Sequence, residues 1–262
     1  VKVLVLDFDG VISDSAREAF RVAWETWREL RPDSALCHAA PETLYPAFLE
    51  MMPLGNRAED YAVELAALDA GREIPDQAAY DAFKATIDPE WLRTFHRRFY
   101  HVREAWAARD PEGWRSLMGP YAPLAPVLRA HAHEVELAIA TSKDRGSVRR
   151  LLEAYGVADL FGEGRVLDKE AGPSKRTHLE QLHAALRVPY PEMTFVDDKV
   201  NHLEPVAPLG VRCVLAAWGY NGPREHRRAR QLGFAVVHLD EVEARLFGPE
   251  AEASKSPRLD RA

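Results

Sequence analysis

At 262 residues the chain is long enough for one large domain or two modest ones around a sizeable core. Its 34 basic and 41 acidic residues give a net charge of −7, against the basic excess of a general nucleic-acid binder, and 47% hydrophobic content describes a soluble globular protein. No run approaches the ~18 apolar residues of a membrane span, and Cys37 and Cys213 make neither a disulfide framework nor a metal cluster. With no secretory pattern at its start, a reduced cytoplasmic setting is expected.

The first element is a strand. Val3, Leu4, Val5 and Leu6 form the continuous apolar run of a strand buried on both faces of a parallel sheet. It runs into Asp7-Phe8-Asp9-Gly10, which reads either as an acidic turn or as a hard-cation site with an anionic nucleophile. The period then changes. Phe20, Ala23, Trp24, Trp27 and Leu30 recur at helical steps, predicting a helix over 16–30. Leu92, Phe95, Phe99, Val102 and Trp106 predict another over 89–108, with further helices over 61–70 and 76–85. No strand is expected between Ser15 and Gly119, so a helical block of roughly a hundred residues is inserted after the first strand.

Strands and helices alternate in the second half. Strands are predicted over 135–140, 164–167, 193–196, 211–216 and 235–239. Helices are predicted over 147–155, 176–186, 224–230 and 241–247. This is an α/β fold, a Rossmann-like doubly wound parallel sheet, with residues 1–14 and 122–248 as the core and 15–121 as the helical insertion. Residues 249–262 are polar and aperiodic and read as a loose tail.

Three predicted strands end in polar residues: Asp7 and Asp9, Thr141 and Ser142, and Asp197 and Asp198. Lys175 stands at a helix start between the last two. A parallel sheet brings these ends to one edge, where open α/β sheets bind ligands. Carboxylates there can hold Mg²⁺, and a hydroxyl and an ammonium can grip a phosphoryl group.

Asp7 to Ser15 (DFDGVISDS) resembles the first motif of the haloacid dehalogenase-like superfamily. Ala140-Thr141-Ser142-Lys143 resembles its second motif, Lys175 its third, and Phe195-Val196-Asp197-Asp198 its fourth. The resemblance spans Val1–Ser15 and roughly Pro123–Phe247, and the insertion falls where the family carries its helical C1 cap. It implies a Mg²⁺-dependent phosphatase of the phosphoglycolate phosphatase and β-phosphoglucomutase branch, acting on a small phosphorylated metabolite. Asp7 would form an aspartyl-phosphate, and Asp9 would serve as general acid and then base. Thr141 and Lys175 would hold the phosphoryl group, Ser142, Lys143 and Arg57 would bind substrate, and Asp7, Asp9, Asp198 and Asp197 would hold the metal. Family dehalogenases lack the second Asp and need no metal, because halide leaves unprotonated. Asp9 therefore favours phosphate chemistry.

Two positions depart from the family pattern. Val11 stands where many members carry Thr, and His202 where the fourth motif often has a further acid, with Asn201 or Glu204 as substitutes through water. His202 reads as a surface residue at a helix start, with a metal or substrate role as the alternative. Lys175 is preferred over Lys169 because a helix begins right after it. Asp14 resembles the family's acid after the first turn, which fixes the flap, with a helix N-cap together with Ser15 as the alternative reading. Trp24, Trp27, Trp91, Phe95 and Trp106 read as cap core, and Arg224, Arg227, Arg228 and Arg230 as a solvated face. Alternatives are a phosphomutase, a 2-haloacid dehalogenase, and a non-catalytic binding protein of the same fold. No nucleic acid or membrane partner is expected, and the protein is expected to be a monomer or homodimer.

Overall fold

The computed structural model describes residues 2–55 and 57–248, so the expected tail at 249–262 lies outside the described residues. The chain divides into two compact units, one being Ser15–Gly119 and the other the chain on either side of it. Strand β1 (Val3–Leu6) is wholly buried, as its unbroken apolar run predicts. The two-residue segments β2 (Ser13–Asp14) and β3 (Gly119–Pro120) mark the ends of the insertion.

The inserted unit is helical: α1 (Ala16–Leu30), α2 (Pro41–Met51), α3 (Ala58–Asp69), α4 (Gln77–Lys84), α5 (Pro89–Arg109) and α6 (Pro111–Ser116). Phe20, Ala23, Trp24 and Trp27 form the buried face of α1. Trp27 meets Trp91 of α5 edge-on, ring centres 5.6 Å apart, and Phe95 is fully buried, so these aromatic residues are interior packing. Ser15 occupies the position before α1 but its side chain makes no capping hydrogen bond, so the alternative N-cap reading does not hold there. Helix α2 was not predicted, because Pro46 lies inside it and removes a backbone donor. Packing overrides that cost: Phe48 is fully buried, with ring centres 5.1 Å from Phe20 and 5.7 Å from Tyr61.

One buried ion pair anchors this unit. Glu18 of α1 accepts from Arg103 Nε and Nη2, both at 2.8 Å, and from Trp114 Nε1 at 2.9 Å. Burial opposes the Arg103 charge, but the Glu18 carboxylate outweighs it and raises the guanidinium above its ordinary range. Glu18→Ala strands that buried cation, so the variant is expected to lose about 3–5 kcal/mol in urea unfolding.

The other unit alternates: α7 (Leu124–His131), β4 (Glu136–Ala140), α8 (Arg145–Ala154), β5 (Val166–Leu167), α9 (Lys175–Leu186), β6 (Met193–Asp197), α10 (Val200–Leu203), β7 (Arg212–Ala216), α11 (Pro223–Gln231), β8 (Ala235–Val237) and α12 (Val242–Phe247). Six strands form one sheet in the order β5-β4-β1-β6-β7-β8, and every pairing is parallel. Leu6 is in register with Ile139 of β4 and Val196 of β6. The residues that follow, Asp7, Ala140 and Asp197, therefore come level at the carboxyl edge. The chain winds outward from β1 in both directions, which opens the crevice where such sheets take ligands. Among the described residues no helix is long and apolar enough to cross a membrane.

Candidate active site

The first loop is a tight turn that returns on itself. The amides of Val11, Ile12 and Ser13 all donate to the Phe8 carbonyl, and Gly10 N donates to Ser13 O. Gly10 has φ +79°, and a Cβ there would stand 2.3 Å from Asp198 Oδ2, so only glycine fits. The turn thereby brings the first motif against the fourth.

Asp7 is 5% exposed, and its Oδ1 lies 2.6 Å from Lys175 Nζ. Lys175, at the first turn of α9, also donates to the Ala140 carbonyl at 2.7 Å and lies 3.4 Å from Asp197 Oδ2. Its helix starts at Ser174, whose hydroxyl accepts from Thr177 N. Lys169, the rejected candidate, is a partly exposed side chain 4.0 Å from Glu170.

Asp9 is more open, with 34% of its side chain exposed, and its Oδ1 accepts from Lys143 Nζ at 3.0 Å. Lys143 is itself buried, and its amide donates to Thr141 Oγ1. The second motif thus meets the first through Lys143 and Asp9, while Ser142 is exposed. Arg57 stands just before α3 in the helical unit.

The two acids after β6 differ sharply. Asp197 is fully buried with both oxygens occupied: Oδ1 accepts from Lys199 N at 2.9 Å, and His202 Nδ1 reaches Oδ1 and Oδ2 at 3.1 and 3.0 Å. Asp198 is equally buried, but only Oδ2 is satisfied, by Tyr220 N at 2.9 Å. Its Oδ1 has no hydrogen-bond partner. Asp7, Asp197 and His202 each bring a ligand-capable atom within 4.8 Å of the others.

Electrostatics follow burial. Desolvation pushes Asp7 up to about 6, which Lys175 only partly offsets. Asp198 is driven well above the usual carboxylate range by burial and by the Asp197 charge beside it. Burial acts the same way on Asp197, but His202 and Lys175 outweigh it and hold that carboxyl below its ordinary range. Lys175 is desolvated as well, yet Asp7 and Asp197 raise it and keep it charged. A divalent cation fits this edge on two grounds. It would relieve two buried acids that burial disfavours as anions, and it would satisfy the orphaned Asp198 oxygen.

A family model described as haloacid dehalogenase-like hydrolase matches residues 1–210. The chain belongs to that family. Among curated proteins it is 28% identical over 150 residues to magnesium-dependent phosphatase 1 of Homo sapiens, covering 56% of this chain and 81% of that protein. It is 28% identical over 226 residues to tyrosine-protein kinase PtkA of Mycobacterium tuberculosis, covering 84% of this chain but only 63% of the kinase. Among solved structures, a predicted phosphoglycolate phosphatase from Haemophilus somnus superposes with a TM-score of 0.61 at 18% identity, covering 92% of this chain and 96% of that one. A haloacid dehalogenase-family hydrolase from Deinococcus radiodurans, solved with bound phosphate and sodium, gives 0.59 at 18% identity and covers 98% of both chains. The expected superfamily, the Rossmann-like core and the assignment as a hydrolase are borne out.

Several features of this haloacid dehalogenase-like hydrolase escaped the sequence. His202 is not a surface residue: its side chain is 12% exposed and turned onto Asp197. Glu204, considered as a stand-in acid, pairs instead with Arg228 at 3.0 Å. The loop after β7 was not considered at all. There Trp218 Nε1 donates to Val11 O, Tyr220 N to Asp198, and Asn221 Nδ2 to the Asp198 and Ala216 carbonyls. A Cβ on Gly219 would lie 2.3 Å from Asp198 Cβ, so this loop closes directly on the fourth motif.

Proposed function

We propose that this hydrolase is a Mg²⁺-dependent phosphatase that cleaves a small phosphomonoester through an aspartyl-phosphate on Asp7. The observation that carries the reading is Asp9, a partly exposed carboxyl fixed by Lys143 beside the nucleophile loop. An alkoxide leaving group needs a proton, and a halide does not. The cation's fit to Asp198 and Asp7 supports the metal, as does the likeness to magnesium-dependent phosphatase 1. The phosphate bound by the Deinococcus radiodurans relative supports the substrate class.

In this mechanism the Asp7 carboxylate attacks phosphorus, and the oxygen of the leaving alcohol takes its proton from Asp9. Asp9, now a carboxylate, takes a proton from water as that water attacks the aspartyl-phosphate. Inorganic phosphate leaves and Asp7 is restored. Lys175 holds Asp7 in place and offsets charge on the phosphoryl oxygens, which Thr141 also binds. Bound by Asp7, Asp198 and the Asp9 main-chain carbonyl, the cation would supply further positive charge to the phosphoryl group. Ser142, Lys143 and Arg57 remain the candidates for gripping the rest of the substrate.

A panel of phosphorylated metabolites tests the reading. After treatment with EDTA the protein is expected to release no phosphate, and Mg²⁺ is expected to restore hydrolysis of at least one small phosphomonoester. Metal-independent halide release from a 2-haloacid contradicts it, as does isomerisation of a hexose 1-phosphate without free phosphate.

A further inference from the structure

Lys175 offers three N–H donors, and the structure supplies three acceptors: Asp7 Oδ1 at 2.6 Å, Ala140 O at 2.7 Å and Asp197 Oδ2 at 3.4 Å. The ammonium is therefore fixed from three sides. Two of these partners are held by the sheet itself, Asp7 following β1 and Ala140 closing β4. The third depends on the orientation of the Asp197 side chain. That side chain is clamped by the Lys199 amide and by His202, whose Nδ1 faces both carboxylate oxygens. With only anionic oxygens before it, Nδ1 carries the proton and donates.

The neighbouring acid has the opposite arrangement. Asp198 leaves Oδ1 buried and unpartnered, while its Oδ2 is tied to Tyr220 N. The two consecutive carboxylates thus present different valences to the site, one spent on the protein's own donors and one with an oxygen to give.

We propose that His202 is a positioning residue. By donating to Asp197 it locks that carboxylate as the counter-charge of Lys175, so that Lys175 stays aimed at Asp7, while Asp198 alone of the pair serves the cation. The proposal rests on the phosphatase reading above and extends it to residues which that mechanism does not employ. The imidazole keeps the lysine's surroundings rigid without adding another buried negative charge beside Asp7, Asp197 and Asp198.

The test uses the full chain with His202→Leu, which removes the donor, and His202→Asn, whose amide nitrogen can replace Nδ1. Circular dichroism checks folding, p-nitrophenyl phosphate gives kcat and KM, and calorimetry with Mg²⁺ alone gives metal affinity. His202→Leu is expected to lower kcat roughly 10- to 100-fold, with KM and the Mg²⁺ dissociation constant unchanged, and His202→Asn to recover most of the loss. Equal activity in wild type and His202→Leu overturns the proposal. So does a loss of Mg²⁺ affinity in His202→Leu, which would make the imidazole a metal ligand. If wild type hydrolyses no phosphate ester, the phosphatase reading fails on its own. The positioning claim is then decided by a urea-unfolding cycle of His202→Leu with Lys175→Met, where coupling supports it and additivity overturns it.

Discussion

Asp7→Asn is expected to give a folded protein whose turnover of p-nitrophenyl phosphate falls at least about 10⁴-fold. The amide is isosteric with the carboxylate but has no anionic oxygen to attack phosphorus. Asp197 cannot take over, since it is consumed by Lys175, His202 and the Lys199 amide. Folding is expected to survive because the wild-type carboxylate is itself an electrostatic burden. Its proton affinity is raised from 3.8 unfolded to about 6 in the fold. The folded state therefore holds more protons than the unfolded state between those values, and wild-type stability falls as pH rises through that window. The Asn variant lacks this loss. Metal-free urea unfolding should accordingly favour Asp7→Asn more at pH 8 than at pH 3.5, tempered by the counter-charge that Lys175 gives up.

Asp9→Asn separates the two halves of the reaction. With an alkyl phosphate, whose leaving alkoxide needs a proton, the variant should lose about 10²–10⁴-fold in kcat. With p-nitrophenyl phosphate the leaving group needs little help, so Asp7 can still be phosphorylated. The following step needs a base for water and stalls. Rapid mixing should then show a burst of p-nitrophenol close to one enzyme equivalent, followed by slow turnover. Equal losses on both substrates, with no burst, would remove Asp9 from proton transfer and leave it as a partner of Lys143.

The sequence carried the sheet and the order of the motifs, because both are written locally. A largely apolar run that ends in polar residues marks the end of a buried parallel strand, and β1, β4 and β6 follow that pattern. Pattern reading failed where distant packing overrides local propensity. Helix α2 contains Pro46 and is held by Phe48 against Phe20 and Tyr61, contacts that no local window reveals. His202 was misjudged for a related reason. Its place at a helix start is legible, but which way the ring turns depends on Asp197, five residues away and at the end of a strand. The loop of Trp218, Tyr220 and Asn221 carries polar side chains with no motif spacing, and Trp218 bonds to a residue 207 positions earlier. Lys143 lies buried against Asp9, a pairing between two motifs that no local spacing reveals.

The central claim is a covalent phosphoryl group on Asp7. Asp9→Asn is mixed with p-nitrophenyl phosphate and Mg²⁺, quenched in acid during the burst, digested and read by mass spectrometry. A single phosphoryl group on Asp7 in the amino-terminal peptide, absent when Asp7 is also Asn, is the result this mechanism predicts. A burst with the phosphoryl group on another residue, or steady phosphate release with no phosphorylated peptide, would contradict it.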